Sequence, residues 1–368
     1  MSEVAPASLR GTFGGLFQVE FTLGWLLVQA LGLAVNWRHL ALIGALPSTL
    51  LFLVAIPWLP RTPQMLLKAG QAREALLTLQ RLRGARADPQ LVADELSALR
   101  KAGLSAQVDV RAAGGGLRSL LRPSVRRALL VGVVATLLKQ FSGMNAVAFY
   151  TPQIYTQTRV AHPNLLTVWT ILASLPFCVV SSLLMDRAGR RIMMVGPAIG
   201  MAAAMVVLGF YCHEIANNEN HFGSSGLVAL GSLIVYNIMI SSGLGTGAVL
   251  LISEIFDAEA RAAAMGVLTV VNWLCFFATT ETFPIMLDSR LGPAGTFWFY
   301  ARTCLVGAAA VLALVPETRG RSLPDIQAHF AGAALARPLD FRAGVPAALA
   351  VGAIAAAAVA ATVLAISF

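Results

Sequence analysis

The chain has 368 residues, of which 57% are hydrophobic and only 12% charged, with a mean hydropathy of +0.73. Soluble domains carry about 25% charged residues, so the composition excludes a water-soluble globular fold and implies an integral membrane protein. The formal charge of +9 is spread as membrane topology spreads it, with 22 of the 27 Lys and Arg on one side if the loop 61–127 is cytoplasmic. With that long loop set aside, nine cations remain inside against Arg38, Arg159 and Arg290 outside. This is a positive-inside pattern, and it gives no reason to expect nucleic acid.

Apolar runs of about 20 residues, enough for a helix to cross hydrocarbon, fall near 12–35, 40–60, 128–151, 165–185, 192–212, 227–250, 262–286, 295–315 and 345–368. Nine spans are expected. The first follows "SEVAPASLR" (Ser2 to Arg10), whose Ser, Glu and Arg recur at the same offsets in "SEIFDAEAR" (Ser253 to Arg261). Two spans follow each copy, but four lead into the second and none into the first. Read as six-helix halves, the repeat common in transporters, this predicts a chain that starts where the fourth helix of a first half ends.

Between the second and third spans, "QAREALLTLQRLRG" places Ala72, Ala75, Leu76, Leu79 and Leu82 on one helical stripe, with Gly84 as a stop. A second amphipathic segment, "PQLVADELSALRKAG", runs through Leu91, Glu95, Leu96 and Leu99, and "AAGGG" (Ala112 to Gly116) reads as a joint. Two surface helices beneath the bundle are expected here.

The third span holds "LLKQFSGMNAVAFY", which sets Lys139, Gln140, Ser142, Gly143 and Asn145 in the middle of a membrane-crossing run. Buried polar groups in hydrocarbon are costly unless they meet a partner or a wet cavity. Gln140 and Asn145 are about 140° apart on a regular helix, so they line one site only if the helix opens at Ser142-Gly143. The same residues also suit close helix packing with amides as interhelical glue. If the helix opens, amides that donate and accept from one group favour a neutral polyol over a phosphate or carboxylate ligand, which calls for Arg or a helix N-terminus. Glu20 and Glu281 are further intramembrane acids, and Lys139 is expected to be neutralised by Glu20. Cys178, Cys212, Cys275 and Cys304 fall within spans without metal-ligand spacing and read as packing residues.

"KQFSGMNAVAFY" resembles the "QQxSGxNxxxYY" signature of the sugar porter family of the major facilitator superfamily, the facilitative hexose transporters. "DRAGRR" (Asp186 to Arg191), "PETRGRS" (Pro316 to Ser322), "NW" (Asn272, Trp273) and "SEVAPASLRG" are similar to other motifs of that family. "NWRHLALIGALP" and "IQAHF" are most similar to its class III branch. The resemblance covers about residues 1–330. It implies sugar-binding roles for Gln140 and Asn145, for Lys139 in place of the family's first Gln, for Gln18, and for Asn272 and Trp273. It also implies a cytoplasmic lock of Glu3 with Arg10, Glu254 with Arg261, and Asp186, Arg187, Arg190 and Arg191 with Glu317. Departures are the Lys at 139, "PRTPQ" (Pro60 to Gln64) for "PESPR", and "GTGAV" (Gly245 to Val249) for "GPIPW". The last of these removes the prolines and tryptophan expected of a gating hinge.

The expected fold is therefore an all-α major facilitator bundle lacking the first four helices, with about eight transmembrane helices and an extra C-terminal one. Its parts are the last two helices of an N-terminal half (1–60), a cytoplasmic helical loop (61–125), a C-terminal six-helix half (126–330) and an atypical apolar tail (331–368). The tail reads equally as a ninth span, a helix in a vacant groove, or sequence from an altered reading frame. The expected function is facilitative hexose transport by alternating access, with a monosaccharide and the lipid bilayer as partners. The alternative is a truncated, non-transporting paralogue or isoform that associates with another transporter chain. No enzyme, cofactor or metal motif is present in the sequence. A multi-pass protein of the plasma membrane or an intracellular vesicle is expected.

Overall fold

The computed structural model describes residues 10–58, 61–83, 90, 92–97, 117–158, 160, 162–217, 226–256, 258–317, 326 and 329–330. Each expected span up to residue 315 lies mostly on described helix; the expected span at 345–368 lies outside the described residues. In chain order the helices are α1 (Arg10–Leu31), α2 (Trp37–Trp58), α3 (Pro63–Lys68), α4 (Ala72–Arg83), α5 (Pro123–Phe141), α6 (Met144–Gln157), α7 (Pro163–Ala188), α8 (Arg190–Asn217), α9 (Leu227–Met239), α10 (Gly245–Ile255), α11 (Ala258–Asp288) and α12 (Gly292–Leu314). Among the described residues seven helical stretches are long and apolar enough to cross a membrane, with Val19–Leu31 of α1 as a shorter apolar run.

The core lies where α8 meets α9 and α12. Met194, Ala198, Met201, Ala204, Met205 and Leu208 of α8 are fully enclosed. Small residues along α8 let its neighbours approach closely, the usual device for helix packing in lipid; Trp298 of α12 lies over Gly209 and donates its indole N–H to the Val206 carbonyl. α1 packs against α7, and the Thr22 hydroxyl faces Cys178 Sγ at 3.9 Å. α2 behaves differently: none of its apolar window Trp37–Val54 is buried.

The helices between the second and third spans form as their sequence pattern dictates. Thr62 caps α3 by accepting from the Met65 N–H at 3.3 Å, with Pro63 in the first turn, where its missing donor costs nothing. On α4, Ala75 and Leu79 are buried and Leu76 and Leu82 half-buried, while Ala72, at the exposed end of the stripe, is not covered. The second amphipathic segment is helical over 92–97, with Val92 buried.

Beyond α12, Ile326 and Phe330 are buried. Arg127 Nη1 donates to the Phe330 carbonyl at 3.4 Å. Burial first, and then the Arg127 charge, hold His329 below the ordinary histidine value of 6.5. A histidine depressed in the docked state favours docking above the free value and loses that contribution as pH falls through the lowered one. Hydrogen exchange at 326–330 is therefore expected to be slow near about pH 7.5 and faster near about pH 5.5, and His329→Gln should remove the dependence.

Candidate functional site

The long apolar run at the third span is two helices. α5 ends at Phe141, Gly143 takes a left-handed conformation at φ +85°, and α6 starts at Met144. The opening expected at Ser142-Gly143 is thus present. A broken helix in hydrocarbon must have its freed carbonyls met from elsewhere, and side chains meet them here. Thr303 Oγ1 of α12 donates to the Phe141 carbonyl at 2.6 Å, and the Tyr236 hydroxyl of α9 donates to the Ser142 carbonyl at 2.9 Å. Cys304 Sγ approaches the same Ser142 carbonyl at 3.8 Å. The Tyr300 ring closes the break, so a Cβ on residue 143 would stand 2.8 Å from it. Tyr236, Tyr300 and Thr303 are absent from the sequence-derived site; for Tyr236 the available signal is a lone tyrosine in the mostly apolar "LVALGSLIVY".

The break brings Gln140 and Asn145 together. Asn145 Nδ2 donates to Gln140 Oε1 at 2.5 Å, and Gln140 Nε2 donates to Asn272 Oδ1 of α11 at 2.6 Å. Gln140, only 1% exposed, is the middle of a three-amide chain. Its outer ends, Asn145 Oδ1 and one or both protons of Asn272 Nδ2, make no hydrogen bond among the described residues. Asn272 also borders a cleft of about 210 Å³ between α5, α10 and α11. Thr136, Lys139 and Thr269 are its other polar lining, and Ala248, Ile252, Met265 and Leu268 form its apolar walls.

One expectation requires correction. Lys139 does not pair with Glu20: Glu20 is exposed, and no ion pair joins them among the described residues. The reason is packing, since α1 lies on α7 while Lys139 lines a cleft made with α10 and α11. Although "GTGAV" lacks the prolines of the family's hinge, the helix is interrupted beside it. A π-helical turn, Ile240–Leu244, separates α9 from α10 just ahead of that segment, with Gly243 outside helical dihedrals. Ser241-Ser242-Gly243 thus supplies the interruption, the same chemistry as Ser142-Gly143.

The remaining residues are distributed as follows. Trp273 is 60% exposed and sits beside Phe276, ring centroids 5.3 Å apart, away from the lining of the cleft. Gln18, Arg10, Asp186, Arg187 and Glu254 lie on described helices with their side chains outside the described set, and Glu3 lies outside the described residues. Arg261 donates to the Phe256 carbonyl at 3.0 Å. Glu317 accepts from the Arg190 N–H at 3.1 Å and the Arg191 N–H at 3.3 Å, and Arg191, nearly fully buried, donates from Nη2 to the Leu312 carbonyl. Glu317 is thus a carboxylate cap on the N-terminus of α8, where free N–H groups and the helix dipole favour negative charge. Gly189, at φ +96°, makes room for it: a Cβ there would stand 2.7 Å from Glu317 Oε2. Glu317→Gln is expected to cost about 1 kcal/mol, read as a lower unfolding temperature and faster amide exchange at Arg190 and Arg191.

Among the described residues, a helical bundle with broken helices at its polar centre defines a multi-pass integral membrane protein. The family model described as "Sugar (and other) transporter" matches residues 1–330, and the chain belongs to that family, whose members are transporters and not enzymes. It is 30% identical over 351 residues to the mouse "Solute carrier family 2, facilitated glucose transporter member 8", covering 90% of this chain and 70% of that one. To the "Facilitated trehalose transporter Tret1" of Apis mellifera ligustica it is 33% identical over 335 residues, covering 90% and 64%. Among solved structures, the xylose transporter XylE from E. coli in a partially occluded inward-open conformation aligns with a TM-score of 0.69 at 25% identity, covering 87% of this chain and 67% of that one. The chain therefore spans about two thirds of the length of such relatives.

Proposed function

We propose that this chain provides the hexose-binding surface of a facilitative sugar transporter that works by alternating access. The observation that carries the reading is the Asn145–Gln140–Asn272 amide chain held at an opened helix. Its free ends differ in kind. Asn272 Nδ2 is a donor and Asn145 Oδ1 an acceptor, so a sugar hydroxyl finds both partners that offset its desolvation. The cleft beside Asn272 supplies apolar walls for a ring face, as polyol sites require. Lys139 belongs to this surface; Gln18 and Trp273 are proposed to complete it from α1 and from the flank of α11. The names of the mouse and honeybee relatives, a glucose and a trehalose transporter, support a sugar as the solute.

The cytoplasmic residues take the gating role in this reading. Glu317 tied to the start of α8, with Glu3, Arg10, Asp186, Arg187, Arg190, Arg191, Glu254 and Arg261, forms the set that holds helix ends together in one state and parts in the other. The corresponding organisation is residues 1–60 as two helices of a first half, 61–125 as a cytoplasmic helical loop and 126–330 as the second half. The test is uptake of labelled glucose and fructose into liposomes containing the full chain. Saturable uptake that unlabelled hexose competes supports transport; uptake equal to protein-free liposomes overturns it for this chain acting alone.

A further inference from the structure

Lys139 is unexplained by a neutral sugar. It sits in the spanning helix α5, half-buried, in the same cleft that Asn272 borders. No carboxylate pairs with it among the described residues, and Glu20, the acid expected to do so, is exposed on another element. A cation at membrane depth is ordinarily matched by an anion or by water in a cavity. The other polar groups of the cleft do not offer one. Thr136 Oγ1 donates to the Gly132 carbonyl at 2.8 Å and Thr269 Oγ1 to the Met265 carbonyl at 2.7 Å. Both hydroxyl protons are therefore turned back onto their own helices, and both oxygens are left to accept.

The cleft thus presents one ammonium, one amide donor end and two hydroxyl acceptors between apolar walls. A neutral hexose would leave the ammonium unmatched. A phosphate dianion would demand more positive charge than a single lysine supplies. Taking the sugar-binding reading above as its basis, we infer that the cleft selects a monosaccharide bearing one carboxylate, a sugar acid of the hexuronate class. The carboxylate accepts from Lys139 Nζ, and the hydroxyls meet Asn272, Thr136 and Thr269. One charge on the ligand answers one charge on the protein, and the hydroxyl-rich remainder suits the amides for which the sugar reading was made.

The test is equilibrium binding to the full chain in nanodiscs of uncharged phosphatidylcholine, with D-glucuronate, D-glucose and acetate compared on the wild type, Lys139→Gln and Lys139→Arg. D-glucuronate is expected to bind about tenfold or more tighter than D-glucose, the scale of a charge-assisted hydrogen bond. Lys139→Gln should reverse that preference, Lys139→Arg should retain part of it, and acetate should not compete at equal concentration. Glucose binding as well as or better than glucuronate overturns the inference and leaves the sugar reading standing. So does a glucuronate preference that survives Lys139→Gln, and competition by acetate reduces the cleft to a carboxylate site without sugar selectivity. Binding of neither sugar to wild type or variants removes both readings. A monodisperse Lys139→Arg protein guards against a misfolded Lys139→Gln.

Discussion

Replacing Gly143 with alanine is expected to lower stability by roughly 2–4 kcal/mol and to abolish detectable sugar binding. Two costs combine: a left-handed conformation carried by a residue with a Cβ, and overpacking against a fixed neighbour. At φ +85° the backbone is one that L side chains rarely adopt, and the new Cβ would stand 2.8 Å from Tyr300 Cδ1. The Tyr300 ring cannot yield easily because it is 1% exposed and packs against Phe283 and Phe299. If the chain escapes by continuing α5 into α6 as one helix, Gln140 and Asn145 separate to about 140° around it, and the amide chain is lost. Thermal unfolding in detergent with sugar binding measured in parallel checks both parts. An unchanged unfolding temperature would show that the break at 142–143 does not need glycine.

Gln140→Leu is the second. Leucine nearly conserves volume but removes both hydrogen bonds of the chain, leaving Asn145 Nδ2 and Asn272 Oδ1 without the partners they now have. Unsatisfied groups of this kind cost about 1–3 kcal/mol each when buried; Asn145 and Asn272 are only half-buried, so the stability loss should fall at the low end of that range. Hexose affinity should fall at least about tenfold, because the remaining amides are no longer held in place. Asn272→Ala cuts only one bond and should cost less, and the double variant should cost less than the sum of the singles, since the residues touch. Additive losses would mean that the two amides act independently, contrary to the 2.6 Å contact between them. Wild-type hexose affinity in Gln140→Leu would remove the amide chain from the sugar site.

Membrane insertion, the positions of the long apolar helices, an opening at Gly143 as one of two readings, and the family were legible before the structure, most of them for a local reason. Apolar run length sets a span, and a Ser-Gly pair is a place where a helix can kink or open. The stripe Ala75, Leu76, Leu79 and Leu82 foretold α4 in the same way, because a helical period depends only on the residues along one element. The interruption ahead of residue 245 also has a local cause, Ser241-Ser242-Gly243, although the segment that follows lacks the prolines of the family's hinge.

What the chain's own order of residues determined, then, is what one segment and its solvent decide: which stretches are apolar enough to enter lipid, and where one of them can open. Which side chains meet across segments was left to tertiary packing. Lys139 and Glu20 are at compatible depths in sequence, yet α1 settles on α7 and puts them apart. Asn272 is 132 positions from Gln140 and joins it. Tyr236 and Thr303 become the caps of a break on another helix. Hydropathy fixes how deep a residue lies but says nothing of its neighbour around the bundle, and that azimuth is set only when the small faces of α8, α9 and α12 close on one another and turn the polar faces of α5, α6 and α11 together.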